Sequence, residues 1–307
     1  MIEKRIKKLK KLIISNALDG YIVPKNDAYF SEFSLPDRLK TISNFSGSYG
    51  FAVILKEKNY LFVDGRYTIQ AEKESGKYFK IIEIPKYLPK EILKKYKKKL
   101  YLGYDPQLFT NINLNRLFNA SYNLRPLENN LIDLVKNPEK RKLAYYFYNL
   151  SHRITGESIK SKINKLIKKI KSKNIDNIFI SAPENVAWLL NLRGKDSPFS
   201  PIPNCKIILT KQKKIYFFSC PKKINKIKKI KPYKDFIFLK YNHFFQTIKI
   251  LPGKNFCIDA STCSVANEKF IKSKFNIKSN NDPCYLMKSI KNHMEIKNMK
   301  NAHIEDG

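Results

Sequence analysis

Apolar residues at Ile2, Ile6, Leu9, Ile13 and Ala17 recur at steps of three and four with charge between them, which predicts an amphipathic helix packed on a core. The period then changes. Asp19-Gly20 leads into YIVP, a short buried strand ended by Pro24, and a long polar loop separates it from FAVILK and NYLFVDG, which read as a β-hairpin turning around Lys56 to Asn59. There follow a helix from Arg66 to Ser75, the strand FKIIEI, a lysine-rich helix PKEILKKYKKK, the strand LYLGYD, a short helix from Asn113 to Phe118 and a strand from Tyr122 to Pro126. Strands alternating with helices predict an α/β domain, a mixed sheet flanked by helices.

A second unit is expected after Asn137-Pro138, with a linker over Leu131 to Pro138. A long helical stretch from Glu139 to Lys173, interrupted near Gly156, leads into IDNIFIS, the helix ENVAWLLN, a proline-rich loop from Ser197 to Pro203, and then CKIILT and IYFFS. That order repeats the first half at a spacing of about 160 residues, which predicts two copies of one fold in tandem. The unit continues through DFIFLK, NFCIDA, a helix from Val265 to Lys272 and FNIKS. After Asp282-Pro283, Met287, Ile290, Met294 and Met299 stand at helical spacing. This last stretch reads as the opening helix of a further domain, its apolar stripe to be covered by a partner or left loose.

Composition changes the picture in two places. The 307 residues carry 43% apolar side chains, enough for two cores, and no unbroken apolar run of membrane-spanning length, so a cytoplasmic protein is expected. The formal charge of +34 suggests polyanion binding, yet only eight of the 60 basic residues are arginine and the lysines are spread along the whole chain. The charge is therefore read as solvated surface, with no specific nucleic-acid site. Cys205, Cys220, Cys257, Cys263 and Cys284 are odd in number and lack a CxxC pair, which predicts reduced thiols.

Candidate chemistry is sparse. SEFSLPDRLKTISNFSGSYG and DGRYTIQA gather Glu32, Asp37, Arg38, Asn44, Ser48, Asp64 and Arg66, and Asp64-Gly65-Arg66 reads most simply as a turn opening a helix. WLLNLRGKDSPFSPIP places Asn191, Arg193, Gly194 and Asp196 at a helix C-terminus, and Trp188 is read as core. FSGSYG lacks the spacing of a phosphate cradle. Of His152, His243, His293 and His303, only His293 with Glu295 and His303 with Glu305-Asp306 stand beside carboxylates, on one helix, so no metal site and no catalytic set is expected.

SEFSLPDRLKTISNFSGSYGFAVI, LFVDGRYTIQA, ENVAWLLNLRGKDSPFSPIP and NDPCYLMKSIKNHMEIKNMKNAHIEDG resemble, in this order, the three-domain Xaa-Pro aminopeptidases, relatives of the creatinases and prolidases. The resemblance implies two creatinase-like N-terminal domains, 1–134 and 135–280, with 281–307 the start of a pita-bread catalytic domain. In that family two divalent metals, commonly manganese, are held by two aspartates, a histidine and two glutamates, and a bridging hydroxide attacks the peptide bond before proline. All five ligands are expected beyond Gly307. By the same resemblance Arg38, Arg66, Arg193 and Asp196 are expected near a substrate entrance or an interdomain contact. LIDLVKNPEK departs from the family in lacking the tryptophan that follows the linker aspartate, as in a gene under relaxed selection.

Three functions follow as expectations: the non-catalytic N-terminal region of an Xaa-Pro aminopeptidase, inactive alone; one half of a split enzyme, complemented by a separate pita-bread chain; or a basic nucleic-acid-binding module. A homodimer is a further possible partnership, and short proline-containing peptides would be substrates only after complementation.

Overall fold

The computed structural model describes residues 2–31, 35–96, 99–119, 122–137 and 145–307. Glu32 and the part of the expected helix over 139–144 lie outside them. The chain divides into two compact units, Met1–Lys142 and Leu143–Gly307.

Unit 1 runs α1 (Ile2–Ser15), β1 (Gly20–Pro24), α2 (Arg38–Ser43), β2 (Phe51–Leu55), β3 (Asn59–Asp64), α3 (Thr68–Ser75), β4 (Lys80–Ile84), α4 (Pro89–Ile92), β5 (Tyr101–Tyr104), α5 (Asn111–Phe118), β6 (Asn123–Pro126) and α6 (Leu131–Val135). Its sheet has the order β4-β3-β2-β1-β5-β6. The stripe on α1 does what its spacing predicts: Ile6, Leu9 and Ile13 are buried against Tyr21, Val23 and Leu61 of the sheet. The lysine-rich helix is shorter than expected, giving way after Ile92 to a single 3-10 turn. Beyond Leu93 that segment has lysines in place of apolar residues, so no stripe is left to hold further turns on the sheet. Leu131 to Val135, expected as linker, form α6 instead, capped by Asn130 and buried in the unit 1 core.

Unit 2 runs β7 (Tyr148–Asn149), α7 (His152–Thr155), α8 (Ile159–Ser172), β8 (Asn177–Ile180), α9 (Pro183–Leu189), β9 (Leu192–Arg193), β10 (Lys206–Thr210), β11 (Ile215–Phe218), α10 (Pro221–Ile224), β12 (Ile237–Leu239), α11 (Phe244–Ile250), β13 (Asn255–Ile258), α12 (Val265–Lys272), β14 (Asn276–Ser279), α13 (Pro283–Ser289) and α14 (His293–Asp306). Its main sheet has the order β12-β11-β10-β8-β13-β14. Strand for strand the directions match unit 1. A central antiparallel trio (β3-β2-β1 or β11-β10-β8) is extended by parallel strands at both ends. The duplication expected from the order of elements is therefore present as identical sheet topology.

Two helical expectations are corrected. The stretch expected to be helical up to Lys173 contains, from Tyr145 onward, an extended aromatic segment, the one-turn α7 and then α8; Gly156, in left-handed conformation at φ 73°, ends α7. The single helix expected after Pro283 is two. α13 ends at Ser289, and Asn292 opens α14 with a capping box, its side chain accepting from the Glu295 amide while Glu295 accepts from the Asn292 amide. These helices are not loose. Cys284 and Met287 join the unit 2 core, and Asn292 and Asn298 donate to the carbonyls of Thr155 and Ile154.

Candidate functional site

The duplication extends to the connection between the first two strands of each six-stranded sheet. Superposing α1 on α8 start for start, Ile2 on Ile159, brings Arg5 onto Lys162, and both helices are 14 residues long. Both cations sit three residues into the apolar stripe. Arg5 donates to the carbonyl of Thr41 (2.8 Å), and Lys162 to that of Trp188 (2.9 Å). Three residues beyond each of these carbonyls stands an asparagine in left-handed conformation, Asn44 (φ 73°) and Asn191 (φ 48°). The turns read Asn44-Phe45-Ser46-Gly47 and Asn191-Leu192-Arg193-Gly194. Asparagine tolerates that backbone region, and each turn throws the chain back toward the sheet.

In unit 2 this turn forms one wall of a cavity of about 800 Å³, with α7, α8, α13 and α14 supplying the rest. Lys162 is 1% exposed, on the buried face of α8 with Ile159, Ile163 and Leu166. Its ammonium donates to the Trp188 carbonyl and to Asn191 Oδ1 (2.8 Å), and stands 4.2 Å from the centroid of the indole. Burial pushes its pKa down to about 8, against the pull of Glu295 and Glu157. Asn191 completes the bridge by donating to the Glu157 carbonyl (2.9 Å). Trp188 Nε1 donates to Glu295 Oε1 (2.9 Å), so the carboxylate that caps α14 also fastens the indole in the cavity wall.

Arg193 lies on β9, opposite Tyr148 of β7, and lines the cavity. Its Nη1 donates to the carbonyls of Ala187 (3.2 Å) and Leu192 (2.9 Å). Burial lowers its pKa, with Tyr148, Tyr233 and Glu295 acting against that shift. Gly194 is required by close approach: a Cβ there would stand 2.8 Å from the Cα of Pro203. Asp196 is behind the turn. It accepts from the Asn204 amide (2.7 Å) and pairs with Lys223, both side chains largely buried, which pins the proline-rich loop.

The unit 1 residues singled out in the sequence are engaged differently. Arg38 makes a two-pronged pair with Asp133 (2.8 Å at each prong), tying α2 to α6. Asp37 caps α2 and pairs with Lys25. Arg66 is exposed and pairs with Asp64 (2.7 Å), whose side chain also accepts from the Arg66 amide as the 3-10 turn opens. Ser46, in the place of Arg193, donates from its amide and its hydroxyl to Glu74 and accepts from Gln70. Arg193 and Asp196 are thus on one turn of unit 2, whereas Arg38 and Arg66 serve two separate braces in unit 1.

Sequence reasoning missed Lys162, read Glu295 only as the carboxylate beside His293, and read Trp188 as core. Each had a signal: a lysine within an apolar stripe, an Asn-x-x-Glu capping pattern, and the repeated Asn-x-x-Gly turn. Among the described residues no three His, Cys, Asp or Glu side chains converge to hold a metal, and no helix is long and apolar enough to cross a membrane. All five cysteines are free.

Known proteins share this architecture. Family models of the creatinase/prolidase N-terminal domain match residues 5–133 and 136–295. Xaa-Pro aminopeptidase 1 of Dictyostelium discoideum is 31% identical over 99% of this chain and 51% of its own length; Xaa-Pro aminopeptidase ApepP of Drosophila melanogaster is 30% identical over 95% and 50%. The chain spans about half the length of the curated relatives it matches. The crystal structure of the X-prolyl aminopeptidase of Caenorhabditis elegans, a cytosolic enzyme with a di-nuclear active site, superposes with a TM-score of 0.87 at 23% identity, covering 100% of this chain and 54% of the worm protein. The chain belongs to the creatinase/prolidase N-terminal domain family and carries two such domains in tandem, similar over 99% of its length to about half of an Xaa-Pro aminopeptidase.

Proposed function

We propose that these two domains are the non-catalytic part of a cytoplasmic Xaa-Pro aminopeptidase, an enzyme that releases the N-terminal residue before proline from short peptides, and that they are inactive alone. The observation that carries this reading is the similarity of 99% of the chain to about half of an Xaa-Pro aminopeptidase. The cytosolic, di-nuclear worm relative supports the compartment and a pair of divalent metals, manganese in our reading, in a pita-bread domain. The described residues do not fit those metals. Glu295 beside His293 is occupied by Trp188 and the Asn292 cap, and no other convergent donor set is present among them. No hydrolytic step is assigned to this chain's side chains. Its part is to shape the approach to the metals, with Arg193 and its turn in unit 2, and Arg38 and Arg66 in unit 1, near that approach or an interdomain contact.

A second reading is that a separate pita-bread chain completes the enzyme. The exposed Ile296, Met299 and Ile304 on α14, with Leu286 and Ile290 before it, favour this. Hydrolysis of Arg-Pro-Pro with added manganese tests both. No turnover by the chain alone and turnover once a pita-bread chain is supplied supports the split enzyme; turnover by the chain alone overturns both readings. Light scattering on the same samples separates a complex of the two chains from a homodimer.

A further inference from the structure

The unit 2 turn, which faces a cavity, has one feature that its unit 1 counterpart lacks. The cavity lining carries four cations, Lys162, Arg193, Lys288 and Lys291, and one carboxylate, Glu295. Glu295 is already engaged, by the Trp188 indole (2.9 Å) and the Asn292 amide (2.9 Å). Lys162 uses its protons on two neutral oxygens and an indole face. Arg193 donates from Nη1 to two backbone carbonyls and, among the described residues, forms no ion pair. A guanidinium in a cleft without a matching carboxylate is costly, because desolvation is not offset by a paired charge. In unit 1 the same turn position is Ser46, and the fold brings its own carboxylate, Glu74, onto it. Unit 2 brings no carboxylate into ion-pair contact with Arg193 among the described residues; Glu295 acts on it only from across the cavity lining.

Part of the lining is apolar. Leu150, Ile154, Met299 and Ala302 form it, and Ile154 and Met299 are about half exposed. The cavity volume of about 800 Å³ lies in the range of small-molecule sites. Arginine's planar fork matches a carboxylate at two points, and a charge-assisted pair is strongest where water is partly excluded.

We propose that this cavity binds a small organic anion, a carboxylate head on Arg193 with a short apolar body against Ile154 and Met299, and that the terminal carboxylate of a short peptide is its natural occupant. The peptide is taken from the function proposed above, but the site is tested without it. Binding is read on this chain alone, whereas the aminopeptidase reading is tested by hydrolysis with a catalytic chain, so either can fail while the other stands.

Trp188 is the only tryptophan in the chain and stands in the cavity wall, so its emission reports on this site. The full chain is titrated at low salt with the tripeptide Ala-Pro-Leu and with its C-terminal amide. A saturable change with the acid is expected, with the amide at least about tenfold weaker, the order set by one charge-assisted hydrogen bond. Arg193→Gln should lose about tenfold for the acid and little for the amide, and Arg116→Gln, exposed on α5 of unit 1, should match the native chain. Because Arg193 also braces two carbonyls, circular dichroism checks its fold, and Lys288→Gln provides a second variant expected to weaken the acid by about two- to threefold. Equal binding of acid and amide, unchanged binding by Arg193→Gln, or no saturable change up to ~10 mM would overturn the proposal. So would inorganic phosphate displacing the peptide with equal affinity, which would make this a simple ion site.

Discussion

Units 1 and 2 are the same fold put to different use. Their sheets have one topology, α1 and α8 bury the same stripe, and the connections leading to β2 and β10 each hold an asparagine in left-handed conformation. The parallel reaches single hydrogen bonds. Asp19 and Asp176, each before the first sheet strand of its unit, pair with Lys56 and Lys211 of the hairpin and accept an amide from the neighbouring parallel strand, that of Tyr101 or Asn255. What differs is the group after the asparagine turn. Unit 1 places Ser46 there and closes it with Glu74; unit 2 places Arg193 there and leaves it facing a cavity. Shared positions therefore report on folding, and the divergent one on binding.

The largest effects should fall on shared core positions. Leu9 and Leu166 are equivalent and fully buried, so Leu9→Ala and Leu166→Ala should each cost about 3 kcal/mol of the stability of its own unit. Urea denaturation followed by circular dichroism measures both, and a cost below about 1 kcal/mol in one alone would break the equivalence.

Next comes the pair of helix cations. Lys162→Met leaves Asn191 Oδ1 buried without a donor and should cost about 2 kcal/mol. Arg5→Met removes the bond to the Thr41 carbonyl at a half-buried site and should cost about 1 kcal/mol. The two also separate by pH. The folded-state pKa of Lys162 is about 8, below its ordinary value of 10.5, so between these pH values the unfolded chain binds more protons. Its charged form penalises the fold fully below pH 8, and the penalty is relieved as pH rises through that window. Native stability should therefore gain on Lys162→Met from pH 8 to 10.5, and thermal melts that run parallel would contradict the burial of this amine.

Asp176→Asn should act in acid. Amides of Asn255 and Lys254, with Lys211, hold this carboxylate down to about pKa 2. Its contribution is complete above its ordinary pKa near 4 and is lost as pH falls through about 2, so the native advantage over Asp176→Asn should shrink across that range. An advantage constant from pH 5 to 2 in denaturant melts would refute it. The smallest effect belongs to Arg66→Ala: an exposed pair with Asp64 should move stability by no more than about 0.5 kcal/mol.

Much of the fold was legible because alternation and helical stripes are enforced by burial. Ile2, Ile6, Leu9 and Ile13 could be assigned to one face without knowing what they packed on. The failures occurred where local signals compete. Leu131 to Val135 reads as linker by its neighbours, yet Asn130 caps it and three apolar side chains bury it. At Ile290 the apolar spacing suggests continuity, while the Asn292-Glu295 box restarts the helix. The site was legible in part. The Arg193 turn could be found as an unusual polar run, but Lys162 and Glu295 reach it from helices 31 residues before and 102 residues after Arg193, contacts that only the tertiary fold reveals.

The most direct test of the comparison is to write the unit 1 residue into unit 2. Arg193→Ser should fold as the native chain does, and Trp188 fluorescence should then fail to distinguish a short peptide acid from its amide. Retention of the native preference for the acid in the folded variant would contradict the account, because the anion would then be held by something other than the group that sets the two units apart.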